Sequence, residues 1–333
     1  MRNTILFNPA IASTNMGDRI IEKSVRQYLH QLFPGDFMCE LPTQDPVGPK
    51  GRQLLKDAAF AFVGGTNLLS SAMNRYNQWK INVLDALTMR NVILMGVGWW
   101  QYQPPANAYT RFLLRRVLHS QMLHSVRDSY TESKLREMGI DNVLNTSCPT
   151  AWSLTPEHCA TIPSHRSNEV IMTLTDYSPD TKRDRQLIDT LLAYYDVVHM
   201  WVQGTGDVRY VRELIQDPRI RLVNPCVEAF DHVLATRDVD YVGTRLHAGI
   251  RALQYQRRTL IVSVDNRATE ISRDIGLNVI ERADIGQVQH FAENEVTMRI
   301  VLPVDNIKRW MSQFHPDVYA TDPTPQPNSL ASK

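Results

Sequence analysis

Short apolar runs alternate with helical segments along nearly the whole chain, and this alternation constrains the fold more than any other feature. Strands joined by helices form parallel sheets that are covered by helices on both faces. The predicted strands are Thr4–Phe7, Phe37–Leu41, Phe60–Val63, Val92–Met95, Met122–Val126, Val170–Leu174, Asp196–Trp201, Arg221–Val223, Asp240–Val242, Thr259–Val264 and Asn278–Ile280. The helices predicted between the first strands are Asp18–Phe33, Tyr76–Leu87, Ala108–Leu118 and Thr131–Met138.

The chain length and one polar stretch divide this architecture into two domains. The chain has 333 residues, and 43% of them are apolar, which is ample for two cores. Residues 155–168 carry Pro156 and Pro163 among mostly polar neighbours. We therefore predict an α/β fold with two doubly wound Rossmann-like domains, residues 1–155 and 156–319, whose strand ends face a cleft. The proline-rich segment 320–333 is predicted to be a disordered tail.

The composition excludes several classes of function. A formal net charge of +1 gives no overall field that would attract nucleic acid or an anionic membrane. The four cysteines are widely spaced without a CxxC pair, which indicates reduced thiols rather than a zinc site. The first apolar run is too short for a signal peptide, and no run approaches the ~20 residues of a membrane span. We therefore expect a cytoplasmic protein without a metal.

The segment Asp240–Ile250 is the strongest candidate for chemistry. It runs from the end of a strand into a helix, so Arg245 and His247 lie in the turn before a helix N-terminus. Free N–H groups in such a turn attract anions. The Arg245 guanidinium matches a carboxylate or phosphate, and His247 can donate a proton near neutral pH. A capped helix start with a surface arginine and a structural histidine explains the local pattern equally well.

Further turns after predicted strands carry weaker signals. Asp18, after the first strand, either contacts sugar hydroxyls or only caps a helix. The paired glycines of Gly64–Asn67 allow a ligand to approach the backbone, or they serve a tight turn. Arg127 either reaches the cleft or satisfies local partners. The aromatic run Trp99–Tyr102 suits a sugar ring at a cleft rim, although such clusters are more often core.

Taken in order along the chain, these segments resemble the polysaccharide pyruvyl transferases. The resemblance spans about residues 4–275, and it rests on the order of pieces that are each weak alone. The matching residues are Asn15, Met16, Gly17 and Asp18, then Gly64, Gly65, Thr66 and Asn67, then Val126, Arg127 and Asp128, and finally Thr244, Arg245, Leu246, His247 and Ala248.

The resemblance implies a fold like that of the GT-B glycosyltransferases and a defined reaction. A pyruvyl group moves from phosphoenolpyruvate, the donor substrate, to hydroxyls of a surface polysaccharide or its precursor, and a ketal forms. No metal and no further cofactor are implied. An acceptor carried on a lipid would bring the protein to the inner face of the membrane as a peripheral protein.

The resemblance places His247 at a catalytic position, Arg245 at a donor-binding position and Asp18 at the N-terminal acidic position of the family. From the chemistry of the donor we expect His247 to be the general acid and Asp18 to be the general base. The donor is expected to contact Thr244, Arg245, Leu246 and Arg127. The acceptor or the loops around it are expected to involve Asn15, Gly17, Gly64, Gly65, Thr66 and Asn67.

The chain departs from the family pattern at three places. Cys148-Pro149 stands where the family often has Asp-Pro, and Gln256–Thr259 replaces a Gly-x-Pro turn. Arg267 stands where a lysine is common, so the charge is kept there. Two alternatives therefore stay open: a GT-B nucleotide-sugar glycosyltransferase, and a catalytically silent carbohydrate-binding relative.

Overall fold

A computed structural model describes residues 2–215 and 217–314. The predicted disordered tail, residues 320–333, lies outside the described residues. Within the described ranges, no helix is both long enough and apolar enough to cross a membrane.

The first half of the chain forms a parallel sheet with strand order β2-β1-β3-β4, and the parallel pair β5-β6 continues beside β4 through a bridge between Val97 and Val126. Its elements are β1 (Asn3–Asn8), α1 (Met16–Leu32), β2 (Phe37–Pro42), α2 (Pro49–Asp57), β3 (Phe60–Gly64), α3 (Val83–Thr88), β4 (Val92–Met95), α4 (Ala108–Val117), β5 (His124–Val126), α5 (Ser129–Arg136) and β6 (Val143–Asn145).

The second half forms a six-stranded parallel sheet with strand order β12-β11-β10-β7-β8-β9. Its elements are α6 (Pro156–Ala160), β7 (Glu169–Thr173), α7 (Thr181–Tyr194), β8 (Val197–Trp201), α8 (Asp207–Leu214), β9 (Ile220–Val223), α9 (Val227–Thr236), β10 (Val239–Gly243), α10 (Leu246–Gln254), β11 (Thr259–Ser263), α11 (Asn266–Ile275), β12 (Val279–Glu281), α12 (Gln287–Glu293) and α13 (Val304–Ser312), with 3₁₀ turns at Pro149–Ala151 and Arg282–Asp284.

The sequence prediction placed one helix wrongly. A helix was expected over Tyr76–Leu87, but only Val83–Thr88 is helical. Asn82 accepts hydrogen bonds from the N–H groups of residues 84 and 85, and Asp85 accepts from the Asn82 N–H. This capping box fixes the helix start at Asn82, so residues 76–82 form a loop that borders the cleft.

Two helices connect the halves of the molecule. Ile20 of α1 packs in the core of the second sheet, whereas other apolar residues of the same helix pack on the first sheet. The last described helix, α13, returns to the first sheet, where Trp310 and Phe314 pack against Phe62. The predicted division near residue 155 remains a proposal. Under that division, α13 belongs to the second domain in sequence but packs on the sheet of the first.

Candidate active site

A cleft of about 830 Å³ lies between the two sheets. Its walls are the loops that follow the carboxyl ends of β1, β2, β3, β4, β7, β8, β10 and β11. Parallel sheets of this kind bind ligands at these strand ends. Of the residues predicted from the sequence, the cleft is lined by Asn15, Asp18, Thr66, Asn67 and Arg245.

Arg245 begins α10 and is almost completely buried. Its Nη2 donates to both carboxylate oxygens of Asp207, at 2.5 and 2.6 Å. Its guanidinium lies 4.9 Å from the ring centre of Tyr177, within the range of a cation–π contact. The guanidinium is therefore fixed in position at the cleft wall with part of its charge neutralised by Asp207.

Arg267 enters the same wall from the first turn of α11. Its Nε donates to both oxygens of Asp265, each at 2.9 Å, and its Nη2 donates to the Tyr177 hydroxyl. The Asp265 carboxylate and the Tyr177 hydroxyl raise the Arg267 pKa further, against the effect of burial, and Arg267 holds the pKa of Asp265 down at about 2. The Tyr177 ring thus joins two arginines, and nothing in its sequence surroundings predicts this role.

Arg127 lies beneath the cleft floor and is fully buried. Its Nε donates to Asp128 at 3.1 Å, and its Nη2 donates to the cleft residue Asn67. The guanidinium lies flat against Gly98, where a Cβ would overlap it. Within residues 2–215 and 217–314, Nη1 has no hydrogen-bond partner. A fully buried cationic donor without a partner is costly unless a water or a ligand satisfies it.

His247, in the first turn of α10, lies behind Arg245 and is only 6% exposed. Burial, together with the charges of Arg127 and Arg267, lowers its pKa to about 3, so the imidazole is neutral at pH 7. Its Nε2 lies 3.7 Å from the Cys148 thiol. Burial raises the pKa of that thiol, so the two groups face each other in their neutral forms.

Asp18 lies in the first turn of α1 on the opposite wall of the cleft. Ser13 Oγ donates to its carboxylate at 2.6 Å. Burial raises the Asp18 pKa, while Ser13, Thr66 and the charges of Arg267 and Arg245 oppose that rise. A carboxyl group whose pKa lies closer to neutrality is better suited to proton transfer than an exposed one.

The loop before Asp18 ties the two halves together. The Asn15 side chain caps α1 through the Gly17 N–H at 3.0 Å and accepts from Gln203 of the second half at 2.8 Å. The Met16 N–H donates to the Gln203 carbonyl at 2.9 Å. A Cβ at Gly17 would press on Gln203 Nε2 at 2.8 Å. These contacts give the predicted residues Asn15 and Gly17 a role in holding the cleft walls together.

Seven predicted site residues do not line the cleft: Gly17, Arg127 and His247, described above, and Gly64, Gly65, Thr244 and Leu246. Gly64 and Gly65 allow α1 to approach β3, since a Cβ on Gly65 would overlap Ile21. Gly65 also has a φ of +58°, which favours glycine. Thr244 and Leu246 are buried on either side of Arg245. The structure does not bring Gly64, Gly65, Thr244 or Leu246 to the cleft surface.

The aromatic run divides between core and cleft. Trp99 is fully buried in the first core. Trp100 lines the cleft and stacks on Tyr76, with ring centres 3.8 Å apart and an angle of 23° between the ring planes. Tyr102 lies outside this pair and donates to Glu270 of α11. The described part of the chain has no group of three or more metal-ligating side chains.

Comparison with solved structures identifies the fold. The UDP-GlcNAc 2-epimerase of Methanocaldococcus jannaschii, in complex with UDP-GlcNAc and UDP, is similar with a TM-score of 0.55 and 9% identity, over 94% of this chain and 98% of that chain. The MnaA–UDP structure from S. aureus has a TM-score of 0.49 and 10% identity, over 90% and 93% of the two chains. The prediction of two doubly wound domains that face a cleft in a GT-B-like arrangement is confirmed.

Sequence comparison identifies the family. No curated protein matches the chain. The family profile described as polysaccharide pyruvyl transferase matches residues 15–266. This range runs from the cap of α1 to the start of α11 and includes Asp18, Arg127, Arg245 and His247. The chain therefore belongs to the polysaccharide pyruvyl transferase family.

Proposed function

We propose that this protein transfers a pyruvyl group from phosphoenolpyruvate to two hydroxyls of a sugar in a polysaccharide precursor and forms a cyclic ketal. The observation that carries the proposal is the arginine cluster, Arg127, Arg245 and Arg267, around His247 and the adjacent cleft wall. Phosphoenolpyruvate carries a carboxylate and a phosphate, and guanidinium groups bind both with matching geometry.

In this proposal the buried Arg127 supplies one donor contact from beneath the cleft floor. Its Nη1 has no partner among the described residues, so an anionic oxygen that reached it would satisfy a buried charged donor. Arg245 and Arg267 would then act from the cleft wall, with Asp207 and Asp265 fixing their orientations.

His247 supplies the proton for the enol carbon in this proposal. With a pKa of about 3, the imidazole is neutral before the donor binds. The negative charges of the donor favour the imidazolium, so we expect His247 to become protonated in the complex. It then gives its proton to the methylene carbon of the donor, which becomes a methyl group, and the neighbouring carbon becomes electrophilic.

Asp18 accepts the proton of the attacking sugar hydroxyl. The oxygen of that hydroxyl bonds to the electrophilic carbon, the bond from this carbon to the phosphate oxygen breaks, and inorganic phosphate leaves. A second hydroxyl attacks the same carbon and closes the ketal, and its proton leaves with phosphate or solvent. The opposed positions of Asp18 and Arg245 across one cleft support these separate roles.

The direct test is phosphate release from phosphoenolpyruvate against a panel of sugar acceptors, with mass detection of the product. We expect acceptor-dependent phosphate release and a product with the mass of a pyruvyl ketal. His247→Gln should bind the donor but lose about 100-fold or more in turnover. Near-normal turnover in this variant rules out His247 as the acid.

A test of Arg245 also needs a variant in which its ion-pair partner Asp207 is replaced. Arg245→Gln alone leaves a buried carboxylate without its partner, whereas Arg245→Gln with Asp207→Asn keeps the local charge balanced. In both variants we expect the donor concentration for half-maximal rate to rise at least tenfold. An unchanged donor requirement in the double variant contradicts a donor role for Arg245.

The rival with the same fold is a nucleotide-sugar glycosyltransferase. It predicts that a nucleoside diphosphate, and not phosphoenolpyruvate, raises the melting temperature. A silent carbohydrate-binding relative predicts sugar binding without phosphate release from any donor and acceptor pair. As part of the pyruvyl transfer proposal, we place the protein in the cytoplasm at the inner membrane face, beside lipid-linked precursors.

A further inference from the structure

Two cations on the first-domain wall of the cleft differ from the arginine cluster in their surroundings. Arg127, Arg245 and Arg267 each have a carboxylate partner within 3.1 Å. Arg75 and Lys80 also border the cleft and are exposed. In the described ranges no carboxylate lies within 4.0 Å of either. The positive charge that remains uncompensated in the cleft is therefore on the side opposite Arg245.

An aromatic platform lies on the same wall. Tyr76 and Trp100 stack at 3.8 Å, and Tyr76 is 37% exposed. Ser70 Oγ donates to the Tyr76 carbonyl at 2.7 Å, and Gln78 Nε2 donates to its hydroxyl at 2.7 Å. The first bond holds the backbone of residue 76, and the second holds the hydroxyl of the ring, whose face rests on Trp100. A fixed, partly exposed ring with one polar end suits the apolar face of a sugar.

An unsatisfied hydrogen-bond acceptor directly follows Tyr76 in the sequence. Asn77 lines the cleft, and its Nδ2 donates to the Ile81 carbonyl at 2.9 Å. Its Oδ1 is buried, and no donor in the described part of the chain reaches it. Buried acceptors are normally hydrogen-bonded, and a sugar hydroxyl is a donor of suitable size for this position.

We propose that Tyr76, Trp100 and Asn77 hold the acceptor sugar while Arg75 and Lys80 hold a phosphate or diphosphate group attached to it. The acceptor class is then a phosphorylated sugar rather than a neutral glycan. This inference rests on the proposed function, because the bound sugar is an acceptor only if the protein transfers a pyruvyl group to it. The binding chemistry is shared by a nucleoside diphosphate sugar and a lipid diphosphate sugar.

The test is calorimetric titration of the unliganded protein, without donor, with hexoses and N-acetylhexosamines, each paired with its 1-phosphate. We expect at least one 1-phosphate to bind tenfold or more tightly than its free sugar. The variant Arg75→Gln/Lys80→Gln should abolish that difference, and Tyr76→Ala should weaken the free sugar and its phosphate alike. Lys56→Gln, the same substitution on an exposed lysine of α2 away from the cleft, should change neither.

Three results overturn the inference. One is equal affinity for free sugars and their 1-phosphates, or no binding of any 1-phosphate by protein that binds phosphoenolpyruvate. Another is full phosphate preference in the Arg75→Gln/Lys80→Gln variant. The third is a rise in the dissociation constant of phosphoenolpyruvate alone in that variant, which would assign the two cations to the donor.

Further titrations separate the two sources and the two proposals. The preferred sugar is titrated as its uridine diphosphate derivative and as a short-chain prenyl diphosphate derivative. The derivative that binds more tightly shows whether the acceptor is a nucleotide sugar or a lipid-linked sugar. These titrations contain no donor, so they test the subsite independently of the reaction. If the protein binds the sugar phosphate but the separate assay shows no phosphate release from phosphoenolpyruvate, the proposed reaction is rejected and the subsite is kept. Phosphate release with neutral acceptors alone would keep the reaction and reject the subsite.

Discussion

At the scale of single residues, the site consists of charged groups whose positions depend on small neighbours and distant partners. Gly98 shows this most clearly, because the Arg127 guanidinium occupies the space of its missing side chain. The sequence marked Arg127 but not Gly98, and it marked Arg245 but not Asp207 or Tyr177. Gly98 lies 29 positions from Arg127, and Asp207 and Tyr177 lie 38 and 68 positions from Arg245. None of these three partners belongs to a sequence motif.

Gly98→Ala should displace Arg127 while leaving the fold in place. The new methyl group would overlap the buried guanidinium, which must then leave its position beside Asn67 and Asp128. We expect the donor dissociation constant to rise at least tenfold, with a loss of about 1–3 kcal/mol in stability from overpacking. Titration with phosphoenolpyruvate and urea unfolding measure both effects. Gly35→Ala, where a Cβ meets nothing within 4 Å, is the control.

At the scale of elements, most strands and the helices at the cleft follow from sequence periodicity, because buried parallel strands and amphipathic helices have distinct apolar repeats. Two of the exceptions have local causes. The strand Val143–Asn145 has three residues, too few for a repeat. The helix predicted at Tyr76 begins at residue 83 because Asn82 caps it. The loop that results carries Tyr76 and Lys80 at the cleft.

The contact between α1 and the turn after β3 gives an element-scale prediction. Gly65 has a φ of +58°, and a Cβ there would overlap Ile21 of α1. Gly65→Ala should therefore lower the free energy of unfolding by about 2 kcal/mol or more, from backbone strain and overpacking together. Chemical denaturation measures the loss. A change below about 0.5 kcal/mol would mean that α1 does not pack against this turn.

At the scale of the whole molecule, the halves meet through contacts far apart in sequence. The carboxylate of Asp274 in α11 accepts from Ser129 Oγ at 2.6 Å and from Asn145 Nδ2 at 2.8 Å. The same helix carries Arg267 at its start. The relative positions of the two cleft walls therefore depend on contacts that no local pattern encodes. The sequence predicted a cleft but not the contacts that hold its walls in place.

Asp274→Ala should loosen this contact without removing any group that lines the cleft. We expect weaker donor binding, since α11 positions Arg267, and faster proteolysis between the halves. Limited proteolysis with and without phosphoenolpyruvate measures this. Asp284→Ala, on the 3₁₀ turn after β12, is the comparison. Identical digestion of the wild type and Asp274→Ala would show that this contact does not hold the halves together.

Buried neutral histidines give the molecule a predictable response to acid. Burial lowers the pKa of His247 to about 3 and that of His124 to about 4, from 6.5. Below pH 6.5 the unfolded chain binds protons that the folded chain does not, so stability is present above that pH and falls as the pH drops toward 3–4. The slope is up to about 1.4 kcal/mol per pH unit for each histidine.

Urea unfolding between pH 7.5 and 5 checks this dependence. We expect the wild type to lose stability over that range, and we expect His247→Gln to lose less, because it removes one of the two histidines. His232→Gln, which changes an exposed histidine, should retain the slope of the wild type. A slope unchanged by His247→Gln would contradict a neutral, buried His247.

The central claim, that His247 protonates the enol carbon of phosphoenolpyruvate in this cleft, is tested most directly by the mass of the product formed in heavy water. The claim predicts a ketal whose methyl group carries one deuterium, formed by the wild type and at least about 100-fold more slowly by His247→Gln. A pyruvylated product without deuterium in the methyl group, or full activity in His247→Gln, would contradict it.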